Sequence, residues 1–368
     1  MRVRPNPPFD RARPEAHGAL DLAELERRGV DPEEVVDFSA SVNPCGPAPA
    51  VLEAARRADI ACYPDRTCLG LRRTLARRLG LDVSWICPGN GSAELIDLLA
   101  RLYLSPGDAA LVVGPTFGEY GRASRLCGAR VLRWDRGVRG GEVSLDLDGL
   151  AGAVLRERPR VVWLCSPNNP TGDLLPGTGV RRLLGAVEAA GGLLVVDEAY
   201  RDLVLRGEPD DLTGLLEGGR LVLLRSMTKA HALAGLRLGY ALAPPEAVRA
   251  LEVARPPWSV SAPAQAAGVA ALSPAAEEHL LRSRRLLARS AALLAEGLSR
   301  LGLRFAPGAA NFFLVEVGSG RGVREALLRR GLQVRDCASF GLPAHIRIAV
   351  RRPEENARLL AALGEVLP

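Results

Sequence analysis

Lysine is all but missing from this chain: of its 48 basic residues, 47 are arginine and one, Lys229, is lysine. Nucleotide bias explains the scarcity but not where the survivor stands. Guanidinium replaces ammonium for surface charge and ion pairing, yet it stays protonated and cannot form an imine. A lysine retained as a Schiff-base nucleophile is the kind that arginine cannot replace. Aromatic residues are also scarce, at 4%, and the arginines are dispersed rather than gathered in one stripe with aromatics between them. That pattern argues against a nucleic-acid footprint; with a net charge of +6, it fits small anions better. No apolar run reaches 18 residues, so no transmembrane helix and no membrane partner are expected. The basic start, MRVRPNPPFDRARPEAHG, lacks the apolar stretch of a secretory signal. A cytoplasmic protein is the expectation. The seven cysteines form no C-x-x-C pair and have no histidine at metal spacing. Free thiols in a reducing compartment, and no metal site, follow.

What is present is an alternating pattern suited to one enzyme subunit of two lobes. Residues 1–18 read as an irregular arm and 19–29 as a short amphipathic helix. Helical periodicity runs through 50–58 and 71–80. Short continuous apolar runs at 109–113, 161–165, 193–197 and 221–225 alternate with helical stretches at 92–103, 117–127 and 178–190. Such runs predict a mainly parallel sheet covered on both faces, with ligands at the carboxyl ends of its strands. PPW (256–258) breaks the chain. A long helix over 274–301, strands at 312–317 and 346–350, and helices at 321–330 and 353–366 then predict a smaller α+β lobe.

Four segments placed just after apolar runs carry the chemistry. CPGNGSAELI (87–96) turns into a helix at Gly91, Ser92 and Ala93, whose backbone N–H groups suit a phosphate; an ordinary serine cap is the plainer alternative. CSPNNPTG (165–172) offers Asn169 as a hydrogen-bond donor to a phenolate, or simply a turn. VVDEAY (195–200) ends an apolar strand on Asp197, a buried carboxylate in need of a partner such as a pyridinium N–H, or simply a helix N-cap aspartate. LRSMTKAHALAGLRLGY (224–240) places Ser226, Thr228, Lys229 and Arg237 in one polar loop: two phosphate ligands beside the amine.

In this order the four segments resemble the fold-type I pyridoxal-phosphate (PLP) enzymes of the aspartate aminotransferase superfamily, over nearly the whole chain. The resemblance implies an α/β fold, with a large domain built on a mainly parallel seven-stranded sheet and a small α+β domain. It divides the chain into an arm (1–46) packing on the small domain, a PLP-binding domain (47–255) and a small domain (256–368). It implies that Lys229 holds the cofactor, Asp197 pairs with the ring nitrogen, and Asn169 and Tyr200 meet the ring hydroxyl. Phe117, in GPTFGEY, would stack on the ring, while Gly91, Ser92, Ser226 and Arg237 hold the phosphate. Tyr63 would reach the phosphate of a neighbouring subunit, implying a homodimer.

Two subgroups compete, histidinol-phosphate aminotransferase and the L-threonine-O-3-phosphate decarboxylase of cobalamin synthesis. AHGA (16–19), DFSASVNPCG (37–46), LRSMTKAHALAGLRLGY, PPWSV (256–260) and VRDCASF (334–340) are more similar to the decarboxylase. That resemblance implies a small phosphorylated amino acid as substrate, bound by His17, Gly18, Ser41, Asn169, Arg335 and Arg347. Arginine suits bidentate grips on both phosphate and carboxylate. Two departures stand out: Ala19 replaces the second glycine after the histidine, and Ser41 stands where that pattern has asparagine. Decarboxylation is therefore the expected reaction and transamination the alternative. A PLP-binding regulator of the same fold carries a DNA-binding domain ahead of it, whereas about 35 residues precede the fold here.

Overall fold

The computed structural model describes residue 9 and residues 14–367. Of the arm expected over 1–18, residues 1–8 and 10–13 lie outside the described part. The large lobe is a seven-stranded sheet. Its spatial order is Ile86–Gly89, Gly239–Leu242, Leu221–Ser226, Leu193–Asp197, Val161–Cys165, Ala109–Gly114 and Arg130–Asp135. All four apolar runs read from the sequence are strands in it, joined in parallel. Gly239–Leu242 alone runs antiparallel to both neighbours. The short link 227–238 has no room for a crossover helix, so the chain turns straight back.

Each strand side chain alternates between two apolar layers. Leu194 and Val196 join Leu183 and Val187 on one face, while Leu193 and Val195 join Leu98 and Leu99 on the other. Burying each such side chain contributes on the order of 1.5–3 kcal/mol, which holds helices on both faces. Arg130–Asp135 escaped the sequence reading because it is an edge strand of partly exposed residues, without the continuous apolar run of a central strand. The helices Pro245–Ala254 and Ala262–Ala271 were likewise not resolved from the sequence.

The small lobe carries a four-stranded antiparallel sheet, Phe305–Ala306, Phe312–Glu316, His345–Ala349 and Arg335–Asp336. Val36–Asp37 of the arm pairs with Leu332–Gln333, and Phe38 is buried in the small-lobe core. The expected boundary at 256 does not coincide with the packing. Val260, Ala264, Ala267, Ala271 and Ala276 belong to the large-lobe core, whereas Leu287, Leu294 and Leu298 belong to the small one. The change of core falls inside the helix Pro274–Arg300, where unbroken helical backbone leaves no linker signal. Among the described residues no helix is long and apolar enough to cross a membrane.

Candidate active site

A cavity of about 730 Å³ opens where the carboxyl ends of the large-lobe strands face the small lobe and the arm. Lys229 sits on its wall, one turn into the short helix Met227–Ala230 that follows the strand Leu221–Ser226. Ser226 caps that helix: its Oγ accepts from the Thr228 N–H at 3.3 Å and lies 2.6 Å from Thr228 Oγ1. Asn43 tethers the far end, its N–H donating to the Lys229 carbonyl at 2.9 Å and its Nδ2 to Ala230 O at 3.0 Å. The lysine is thus placed by backbone, leaving its amine, 5.9 Å from the Tyr200 ring centre, facing the cavity.

Asp197 ends its strand buried, with its carboxylate accepting from Tyr120 Oη at 2.7 Å and from the Ala199 N–H at 2.9 Å. Burial outweighs these bonds and pushes its acid up to about 6. The next residue behaves oppositely. Glu198 turns away and binds Arg225 Nε at 2.7 Å and Arg201 at 3.1 Å. Adjacent strand-end residues point to opposite sides, so Asp197 alone of the two acids serves the cavity. The pair Asn168–Asn169 divides in the same way. Asn168 is spent on Thr116, Pro115 and Thr171, whereas Asn169 lines the cavity and accepts from Arg347 Nη1 at 2.5 Å.

The helix Gly91–Tyr103 begins at the cavity, with Ser92 and Ala93 on its wall. Gly91 has φ +77°, and a Cβ there would come within 2.7 Å of Arg237 Nη2. The positive φ is what favours glycine here, and the missing Cβ lets the guanidinium close over the helix start. Ser92, Ala93, Ser226, Thr228 and Arg237 therefore form a cradle of N–H, hydroxyl and cationic donors suited to a phosphate. Together with an amine, a buried carboxylic acid awaiting a cation, and Phe117 and Tyr200 on the wall, the donor set fits PLP.

Arg335 and Arg347 also line the cavity, and both are buried. Arg335 Nη2 donates to Ala16 O and Ser339 Oγ, each at 2.7 Å; Arg347 donates to Asn169 and to Ser39 O. Every acceptor is neutral, and among the described residues neither arginine has a carboxylate partner. Burial, followed by the charge of Arg347, lowers the basicity of Arg335. His17 and Gly18 reach the cavity from the arm, and Ser41 lines it with a buried hydroxyl that has no partner among the described residues. Gly18 is pressed against Ser39, where a Cβ would overlap its carbonyl.

Two expected residues stand apart. Gly91 lies beneath Arg237 rather than on the wall. Tyr63 is outside the cavity, 80% exposed and stacked on Trp258 at 4.4 Å, so within one chain it does not join the site. Glu119, Tyr120, Ser39 and Ser339 line or support the cavity but were not singled out from the sequence, although Glu119 and Tyr120 stand in GPTFGEY beside Phe117.

The raised acid of Asp197 has a measurable consequence in protein freed of cofactor. A carboxyl unfolds to an ordinary value near 3.9. Between about pH 4 and about 6 the folded state keeps a proton that the unfolded chain releases, so stability falls as pH rises through that window. Asp197→Asn lacks this titration. It is expected to match the parent near pH 4 and to exceed it by roughly 2–3 kcal/mol at pH 7, read by denaturant unfolding; a gap constant with pH would refute the assignment.

Comparison with known proteins agrees with this geometry. Residues 33–363 match the family "Aminotransferase class I and II". A histidinol-phosphate aminotransferase of Symbiobacterium thermophilum is 40% identical over 340 residues, covering 90% of this chain and 91% of that protein. Histidinol-phosphate aminotransferase 2 of Pseudomonas aeruginosa is 38% identical, covering 94% of this chain and 92% of its own. The structure of histidinol-phosphate aminotransferase from Sinorhizobium meliloti in complex with pyridoxal-5'-phosphate superposes with a TM-score of 0.88, at 28% identity over 100% of this chain and 98% of that one. These relatives bear the aminotransferase name, so they do not support the decarboxylase subgroup that the motif stretches had put first. The chain belongs to the class I and II aminotransferase family, enzymes of fold type I that use pyridoxal phosphate.

Proposed function

We propose that this protein is a PLP-dependent aminotransferase acting on a phosphorylated amino compound of the histidinol-phosphate type, as a cytoplasmic homodimer. The observation that carries the substrate class is the pair of buried guanidiniums of Arg335 and Arg347, which line the same cavity as Lys229 and have no carboxylate partner among the described residues. Two unpaired cations in low dielectric are costly alone and match a substrate that brings a phosphate or carboxylate. The relatives named for histidinol phosphate support the same reading.

When bound, PLP supplies an electron sink for charge left at the substrate Cα. The chain supplies the rest. Asp197 keeps a proton on the ring nitrogen. Arg335 and Arg347 fix the anionic groups and thereby decide which Cα bond stands toward the reacting face. The Lys229 amine takes the proton from Cα and returns it, as a general base does within hydrogen-bond reach. The arm at His17 and Gly18 and the wall at Phe117 shield the site from water. Tyr63, exposed on one chain, completes the phosphate site of the second subunit.

A second reading, decarboxylation of L-threonine O-3-phosphate, has one observation in its favour: Ala16, His17 and Gly18 of AHGA, a stretch that carries that resemblance, line the cavity. The loaded protein should be given histidinol phosphate with a 2-oxo acid acceptor, and separately phosphothreonine. Transfer of the amino group to the acceptor is the expected result. Release of CO2 from phosphothreonine, without amino transfer, would replace the first reading by the second.

A further inference from the structure

One charged cluster at the cavity mouth has no role in the chemistry above. Glu119, in the first turn of the helix Glu119–Leu126, is only 7% exposed yet lines the cavity. Its Oε2 accepts from Arg122 Nε at 2.6 Å, and its Oε1 lies 3.1 Å from His17 Nε2. Burial opposes its ionisation, but the hydrogen bonds from His17 and Arg122 prevail and hold its acid below the usual carboxylate range. An ionised carboxylate only accepts, so Nε2 of His17 carries its proton toward Glu119. The imidazole is further confined by the Phe117 ring, 5.5 Å between centres. Around it the arm is fastened on both sides. Arg125 binds Glu15 at 2.9 Å and Arg335 binds the Ala16 carbonyl, while Ala19 N–H donates to Ser39 Oγ at 2.9 Å.

We propose that Glu119 is a positioning residue: steadied by Arg122, it holds His17 at the cavity mouth so that the free ring nitrogen Nδ1 grips the anionic group of the substrate beside Arg335. With Glu119 engaging one ring nitrogen, the other is left for the anion. His17 then acts as a third donor, one that arrives on the arm rather than on either lobe. About half of its side-chain surface remains exposed, which leaves room for a ligand at the ring. Because Arg335 also binds the carbonyl of Ala16, next to His17, the anion and the arm share one guanidinium. Seating the anion therefore orders the arm.

This rests on the phosphorylated-substrate reading, and sulfate separates the two. Sulfate is a tetrahedral dianion, and in cofactor-loaded protein the phosphate cradle is already filled. Calorimetry on the loaded protein is expected to show sulfate binding weakened on the order of ten-fold by His17→Ala and similarly by Glu119→Gln, the loss of one charge-assisted bond. The double variant should be no weaker than His17→Ala alone, because Glu119 acts through His17. In turnover, Glu119→Gln should raise KM for the phosphorylated substrate more than it lowers kcat. Retention of the cofactor's visible absorption band controls for misfolding. Should sulfate bind Glu119→Gln as tightly as the parent, or the two losses add, the positioning role fails while the substrate reading stands. If the parent itself binds no sulfate, the substrate reading fails and takes this inference with it.

Discussion

Lys229→Arg is expected to keep the fold and lose the enzyme. The substitution preserves charge and length, and the backbone of residue 229 is held by Asn43 and by the Ser226 cap rather than by its own side chain. Unfolding should therefore be within experimental error of the parent. Activity should not survive. Guanidinium stays protonated above pH 12 and forms no imine, so the covalent link to the cofactor is gone. The proton carrier is lost with it, a loss worth about 10²–10⁴ by itself. A fall of at least about 10³ in kcat is the expectation. The composition makes a clean check available. Borohydride reduction of the loaded parent should fix one cofactor per chain on the peptide containing Lys229, the single lysine, and the variant should retain none after dialysis. Label found on the parent at any other residue would refute the assignment of this amine.

The second large effect is expected at Arg335 and Arg347, with function and stability moving in opposite directions. Each guanidinium is buried and, among the described residues, bonded only to neutral acceptors. Arg335 is further disfavoured by the charge of Arg347. In the free protein this pair costs stability; on the substrate side it is the chief attraction for an anion. Truncating one partner of a buried charge pair costs about 2–5 kcal/mol, about 30-fold to several thousand-fold in kcat/KM. Arg335→Gln should show that fall, carried by KM, with an unfolding midpoint equal to or above the parent. Arg347→Lys should also fall, because an ammonium cannot serve Asn169 and Ser39 from one planar fork while facing the ligand. If Arg335→Gln lowered stability and left kcat/KM within a few-fold, the arginine would be a structural support, and the substrate class would lose its main argument.

Much of this site was legible in the chain because its parts are local. A strand that ends in Asp197, a turn at Gly91 opening a helix, and a lysine just after Ser226 are each short patterns whose geometry follows from a few adjacent residues. The sheet was legible for the same reason: runs such as VVWLC and LLVVD are buried on both faces, and burial of that kind leaves a continuous apolar stretch. The edge strand Arg130–Asp135 leaves none. The lobe boundary within Pro274–Arg300 was hidden because the packing partner changes there while the helix does not.

By itself, the sequence determined the cofactor chemistry and the kind of fold. One lysine among 48 basic residues marks a reaction that only an amine performs, and strand-end positions order its partners. The sequence already puts forward Asp197 and Asn169; only the tertiary structure shows where their neighbours go, Glu198 to Arg225 and Asn168 to Thr116, since those partners lie far along the chain. The resemblance singles out Arg335 and Arg347 among the 47 arginines, but only the structure shows what surrounds them. Arg347 meets Asn169 across 178 residues of chain, and Arg335 meets Ala16 across 319. Every arginine carries the same charge in sequence; burial on the cavity wall with hydrogen bonds only to neutral acceptors among the described residues, which exists only after folding, is the ground for proposing these two as the anion site.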